Sequence, residues 1–115
     1  MGPASGPIRP GGKGRAQNMI RHIVFFSAKN QKDIDKIGDG LRILKDNPHV
    51  QTFEVQRNLA TDTIEQEPVD WVVYGEFKDA DALDAFKRHP TYQRAIEIVR
   101  PLRNLRLAAD FQTAP

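Results

Sequence analysis

Two short stretches of the chain carry large apolar side chains on both of their faces. In Val69–Phe77 (VDWVVYGEF), Val69, Trp71, Val73 and Phe77 alternate onto one side of an extended chain, and Val72 and Tyr74 onto the other. In Ile20–Phe26 (IRHIVFF), Ile20, Val24 and Phe26 share a side with His22, while Ile23 and Phe25 point the opposite way. A strand in a half-solvated antiparallel sheet reads apolar inward and polar outward. These two strands do not, so both faces of the sheet that holds them must be covered.

The rest of the chain supplies cover for one face. From Lys32 to Asn47, the residues Ile34, Ile37, Leu41 and Leu44 recur at helical spacing. Asn30 or Ser27 is the expected cap, Asp33 and Asp35 sit in the first turn, and Asn47-Pro48 ends the helix. His49–Asn58 (HVQTFEVQRN) reads as a strand and Leu59–Pro68 as a loop. Asp79 opens a second helix with Ala80, Leu83 and Phe86 on one face. His89-Pro90 interrupts it, and Thr91 is the predicted cap of a continuation through Tyr92, Ala95, Ile96 and Val99. After Pro101, Asn104–Phe111 (NLRLAADF) alternates as a last strand.

Strand, helix, strand, strand, helix, strand is the ferredoxin-like βαββαβ order. The expected fold is α+β, with one four-stranded antiparallel sheet and helices on a single face. The other face needs a partner. Burial is worth about 1.5–3 kcal/mol for each large apolar side chain. Ile23, Phe25, Val72 and Tyr74 are therefore predicted to form the interface of a homodimer with sheets packed face to face.

At 115 residues the chain holds one domain, and 39% hydrophobic with 28% charged residues excludes a disordered chain. It has no apolar run of transmembrane length, and no membrane partner is expected. Cysteine is absent, which rules out disulfides and thiol chemistry and fits a cytoplasmic protein. Residues 1–18 hold five of the eight glycines and three basic residues without an acid, and lack the apolar segment of a secretory signal. They are predicted to be a disordered extension, with the domain over residues 19–111 and a tail at 112–115. Beyond residue 18, fourteen basic residues face fifteen acidic ones. That near-neutral balance, and the lack of an RNP1 motif in DWVVYGEF, argue against an RNA-binding domain of the same strand order. No nucleic-acid partner is expected.

Chemistry-bearing residues are few. His22, on the helix-facing side, reads either as a proton carrier or ligand anchor in an internal pocket, or as a neutral core histidine bonded to a neighbour. Tyr92 reads as the polar tip of a pocket or as a helix-facing aromatic. Trp71 and Phe86 read as core or as a stacking platform, and His89 as support for the kink at Pro90 or as a pocket group. Glu65, Glu67 and Asp70 read as a solvated acidic loop, and Arg100, Arg103 and Arg106 as ordinary surface. His22, His49 and His89 have no metal-ligand spacing, and no metal or cofactor is expected.

The opening IRHIVFF, the strand VDWVVYGEF, the following DADALDAFKRHPTYQ and the closing strand resemble the stress-responsive A/B barrel (Dabb) family. The resemblance spans residues 19–111 and implies a dimeric α+β barrel. Some members are polyketide cyclases, for which the resemblance implies a tyrosine–histidine acid/base pair assisted by a first-strand histidine. That histidine is His22, but the tyrosine falls at Phe86 and the second histidine at Tyr92. Phenylalanine exchanges no proton, and a phenol titrates at about pH 10, far from the value of about 7 that suits a general base.

The leading expectation is a homodimer that binds a small apolar or aromatic molecule between sheet and helices. The ligand site would use His22, Phe26, Trp71, Phe86, His89 and Tyr92, with His22 and Tyr92 as the catalytic candidates. The alternatives are a cofactor-independent cyclase or monooxygenase-like enzyme, and a structural dimer without pocket chemistry.

Overall fold

A computed structural model describes residues 19–113. The expected disorder of residues 1–18 lies outside the described residues, as do residues 114–115. The elements are β1 (Ile20–Ala28), a 3-10 turn (Gln31–Asp33), α1 (Ile34–Arg42), a second 3-10 turn (Ile43–Asp46), β2 (Thr52–Arg57), β3 (Trp71–Phe77), α2 (Ala80–Arg88), α3 (Pro90–Val99) and β4 (Arg103–Gln112). All neighbouring strands are antiparallel, in the order β2-β3-β1-β4. This is the ferredoxin-like α+β fold. No helix among the described residues is long and apolar enough to cross a membrane.

Several local expectations change. The predicted first helix is 3-10 at both ends and α-helical between them. Neither Asn30 nor Ser27 caps it: Asn30 makes no side-chain cap bond, and the Ser27 hydroxyl instead accepts from the Leu105 N–H at 3.0 Å. Asp79 caps α2 by accepting from Ala82 N–H at 2.8 Å. At the α2–α3 junction the cap is His89 rather than Thr91. Its Nδ1 accepts from Thr91 N–H at 3.2 Å, and Pro90 occupies the first helical position, where a missing N–H costs nothing. Asp70 is not a solvated loop acid. Its carboxylate accepts from Ala28 N–H at 2.8 Å and fastens the start of β3 to the end of β1. β4 continues through Gln112, one residue past the expected boundary.

The helix-facing side of the sheet builds two adjoining cores. Val24, Phe26, Val55, Trp71 and Val73 pack with Ile37, Leu41 and Val99. Phe77 and Phe86 pack with Leu44 and Ala95. Close helix approach depends on missing side chains: a Cβ on Gly38 would collide with the indole ring of Trp71. Trp71 cannot retreat easily, because its indole N–H donates to the Ile34 carbonyl at 2.9 Å and Arg42 and Arg57 flank its ring.

Among the described residues, no helix covers the opposite face. Its rows are fixed by the register: Tyr74, Ile23 and Ala109 form one, and Val72, Phe25 and Leu107 the next. Leu107 is 58% and Phe111 51% exposed. Tyr74 is partly polar in its setting, since its hydroxyl donates to Glu76 at 2.6 Å and accepts from Arg21 at 3.0 Å. The Glu76 hydrogen bond, followed by burial, pushes the Tyr74 phenol above its ordinary value.

Candidate functional site

The two cores do not close completely against the sheet. A cavity of about 200 Å³ remains between the helix-facing side of β1, β2, β3 and β4 and the helical layer. Val24, Phe26, Phe53 and Val73 form its floor, and Leu41, Leu44, Phe86, Ala95, Ile96 and Val99 its apolar walls. His22, Tyr92, Arg100, Arg103 and Arg106 supply its polar groups.

His22 and Asp110 are directly opposed across the β1–β4 ladder, and His22 Nδ1 lies 2.5 Å from Asp110 Oδ1. A carboxylate can only accept, so Nδ1 carries the proton, and when the ring is neutral Nε2 is the lone-pair nitrogen; the ring lines the cavity. Burial lowers the His22 pKa below its ordinary value. The hydrogen bond and charge of Asp110 oppose this, and the charges of Lys87 and Arg106 add to it. The outcome is a neutral imidazole at neutral pH, oriented by an acid.

A line of rings crosses the site. His22 meets Phe77 edge to face at 6.1 Å, Phe77 meets Phe86 at 4.8 Å, and Phe86 meets Tyr92 at 5.4 Å. Phe86 is 1% exposed and has no proton to exchange. The tyrosine position of the cyclase-type pair is therefore filled by packing, and Tyr92 stands at its far side, half-buried at the cavity wall.

Four of the residues expected from sequence to meet a ligand line this one cavity: His22, Phe26, Phe86 and Tyr92. Trp71 and His89 do not. Trp71 is buried against α1, and His89 is occupied as the cap of α3. Sequence reasoning missed Asp110, because nothing in one chain fixes the register that sets it opposite His22. The arginines are surface groups as expected, with Arg100 and Arg106 exposed and Arg103 half-buried, but they also line the cavity. Strict alternation sends Arg103 and Arg106 to opposite faces, but the register shifts between Phe26 and Ala28, which pair with Arg106 and Arg103. This bulge turns both arginines toward the cavity. Among the described residues, no group of three or more His, Asp or Glu side chains is arranged to hold a metal.

Comparison with known proteins agrees with this architecture. The model of the stress-responsive A/B barrel domain matches residues 20–113. The chain belongs to this Dabb family. A Dabb protein of ferredoxin-like fold from Mesorhizobium loti is 26% identical with a TM-score of 0.67, over 83% of this chain and 96% of that one. A dimeric ferredoxin-like protein of unknown function from Jannaschia is 28% identical with a TM-score of 0.68, over 81% of this chain and 97% of that one. The hydroxynitrile lyase of Passiflora edulis shares the fold at 17% identity and a TM-score of 0.69, over 84% and 94% of the two chains. No curated protein matches the chain at a significant level.

Proposed function

We propose that this Dabb protein binds a small, largely apolar or aromatic molecule in the cavity beside His22. The observation that carries the reading is the conjunction of an apolar cavity of about 200 Å³ with one neutral, acid-oriented histidine in its lining. Ligand sites are commonly apolar clefts with a few placed polar groups. The test is a nuclear magnetic resonance titration with naphthol as probe, on the wild type and on Ile96→Trp, which fills the cavity from α3. The reading expects shifts at His22, Phe86 and Tyr92 in the wild type and their loss in a folded Ile96→Trp protein. Saturation without shifts at these residues would contradict it.

A second reading is favoured by the His22–Asp110 pair itself. An imidazole with Nδ1 held by a carboxylate and Nε2 unprotonated is equipped to accept a proton from a ligand. On this reading the protein is a cofactor-independent enzyme using His22 as base, with Tyr92 as a second polar group across the cavity. It rests on the pair alone and takes nothing from the activity of the lyase of the same fold.

The working unit in this proposal is a homodimer. The strip of Ile23, Phe25, Val72, Tyr74, Leu107, Ala109 and Phe111 supports this, and the 28% identical Jannaschia protein is described as dimeric. A chain without cysteine fits a reducing compartment, and we read the protein as cytoplasmic.

A further inference from the structure

We infer that the ligand of this cavity is an anion: a small, mostly apolar molecule carrying a carboxylate or a similarly charged oxygen group, held by Arg100, Arg103 and Arg106. The inference rests on the reading of the cavity as a ligand site and adds the ligand's charge.

The three arginines come from three places. Arg100 follows the last turn of α3, Arg103 begins β4, and Arg106 lies beyond the bulge. All three reach the same cavity. None of them takes part in an ion pair with an acid among the described residues. Among the described residues no acidic side chain lines the cavity, and Asp110, the acid that pairs across from His22, is engaged by it.

General basicity does not explain this convergence, because the residues from 19 onward carry fourteen basic and fifteen acidic groups. Arg100 and Arg106 are exposed and Arg103 is half-buried, so the three cations gather at the open side of the cavity, where an oxygen anion among them offsets their mutual repulsion. Guanidinium groups bind carboxylates through paired, charge-assisted hydrogen bonds.

The register sets Arg106 apart from the His22 row. Arg106 pairs with Phe26, and Asp110, four residues further along the same strand, pairs with His22. At roughly 3.3 Å per residue the two rows stand about 13 Å apart along β4. The charged group of the ligand belongs at the guanidinium groups, and its apolar body lies against the apolar walls of the cavity.

The experiment compares naphthoate with naphthamide, which share an apolar body and differ in charge. Both are titrated into the wild type and into an Arg103→Gln, Arg106→Gln double variant whose fold is checked by its melting temperature. Naphthoate is expected to bind the wild type about tenfold more tightly than naphthamide and to lose that advantage in the double variant. If the variant does not fold, the wild type decides alone: naphthoate affinity must fall with added salt while naphthamide affinity holds. Equal affinities, insensitive to salt, would overturn the anion and leave the cavity reading standing. Failure of both probes to bind would overturn the two together.

Discussion

His22 and Asp110 face each other across β1 and β4, with Nδ1 of the histidine 2.5 Å from Oδ1 of the aspartate. The pair makes a buried histidine directional. One ring nitrogen is committed to the acid, and the ring itself lines the cavity.

Removing the acid changes the histidine in a defined direction. Both contributions of Asp110, its hydrogen bond and its charge, raise the His22 pKa against burial. Asp110→Asn is therefore expected to lower that pKa further. Titration of the imidazole by nuclear magnetic resonance measures it, and an unchanged or higher value contradicts the pairing.

The same histidine couples stability to pH. Its folded pKa lies below the ordinary 6.5, so below that pH the unfolded chain binds a proton that the folded chain refuses. This contribution is fully present above pH 6.5 and is lost as pH falls toward the folded pKa. His22→Gln lacks it. The gap in melting temperature between wild type and His22→Gln should narrow from about pH 8 to about pH 5. A gap that widens would mean that the folded histidine is charged.

Gly38 and Asn47 hold the helical layer over the cavity. A Cβ at Gly38 would collide with the indole ring of Trp71. Although alanine favours a helix by about 1 kcal/mol, overpacking of about 1–3 kcal/mol should win at Gly38→Ala. Buried Asn47 donates to the Phe86 carbonyl at 3.0 Å and to Thr91 Oγ1 at 3.1 Å, and accepts from His49 N–H at 3.0 Å. Asn47→Ala should cost about 2 kcal/mol. Chemical denaturation checks both, and a gain in stability for either would refute the packing described here.

On the free face, Leu107→Asp places a charge in the middle of the apolar strip, opposite Phe25. Sedimentation should show a dimer for the wild type and a monomer for this variant. A wild-type monomer would contradict the homodimer.

The strand order and the double-faced character of β1 and β3 were legible in the sequence because alternation and helical spacing are local signals. The apolar strip of the free face was only half legible. Leu105, Leu107, Ala109 and Phe111 alternate plainly in β4, but that strand was not connected to Ile23 and Phe25 until the register placed it alongside. His22 was legible as a residue and not as a pair, since Asp110 is 88 positions away. The cavity arginines were hidden by the bulge at Ser27, which no alternation pattern announces. His89 reads from the sequence either as support for the kink at Pro90 or as a pocket group, and its ring nitrogen is used by the backbone of α3.

The most direct test is a nitrogen-resolved spectrum of labelled His22 at neutral pH, recorded with and without naphthol. The account predicts a neutral ring protonated at Nδ1, with an Nε2 resonance that moves as the probe binds. A charged ring, a proton on Nε2, or an Nε2 signal indifferent to a probe that binds the protein would contradict it.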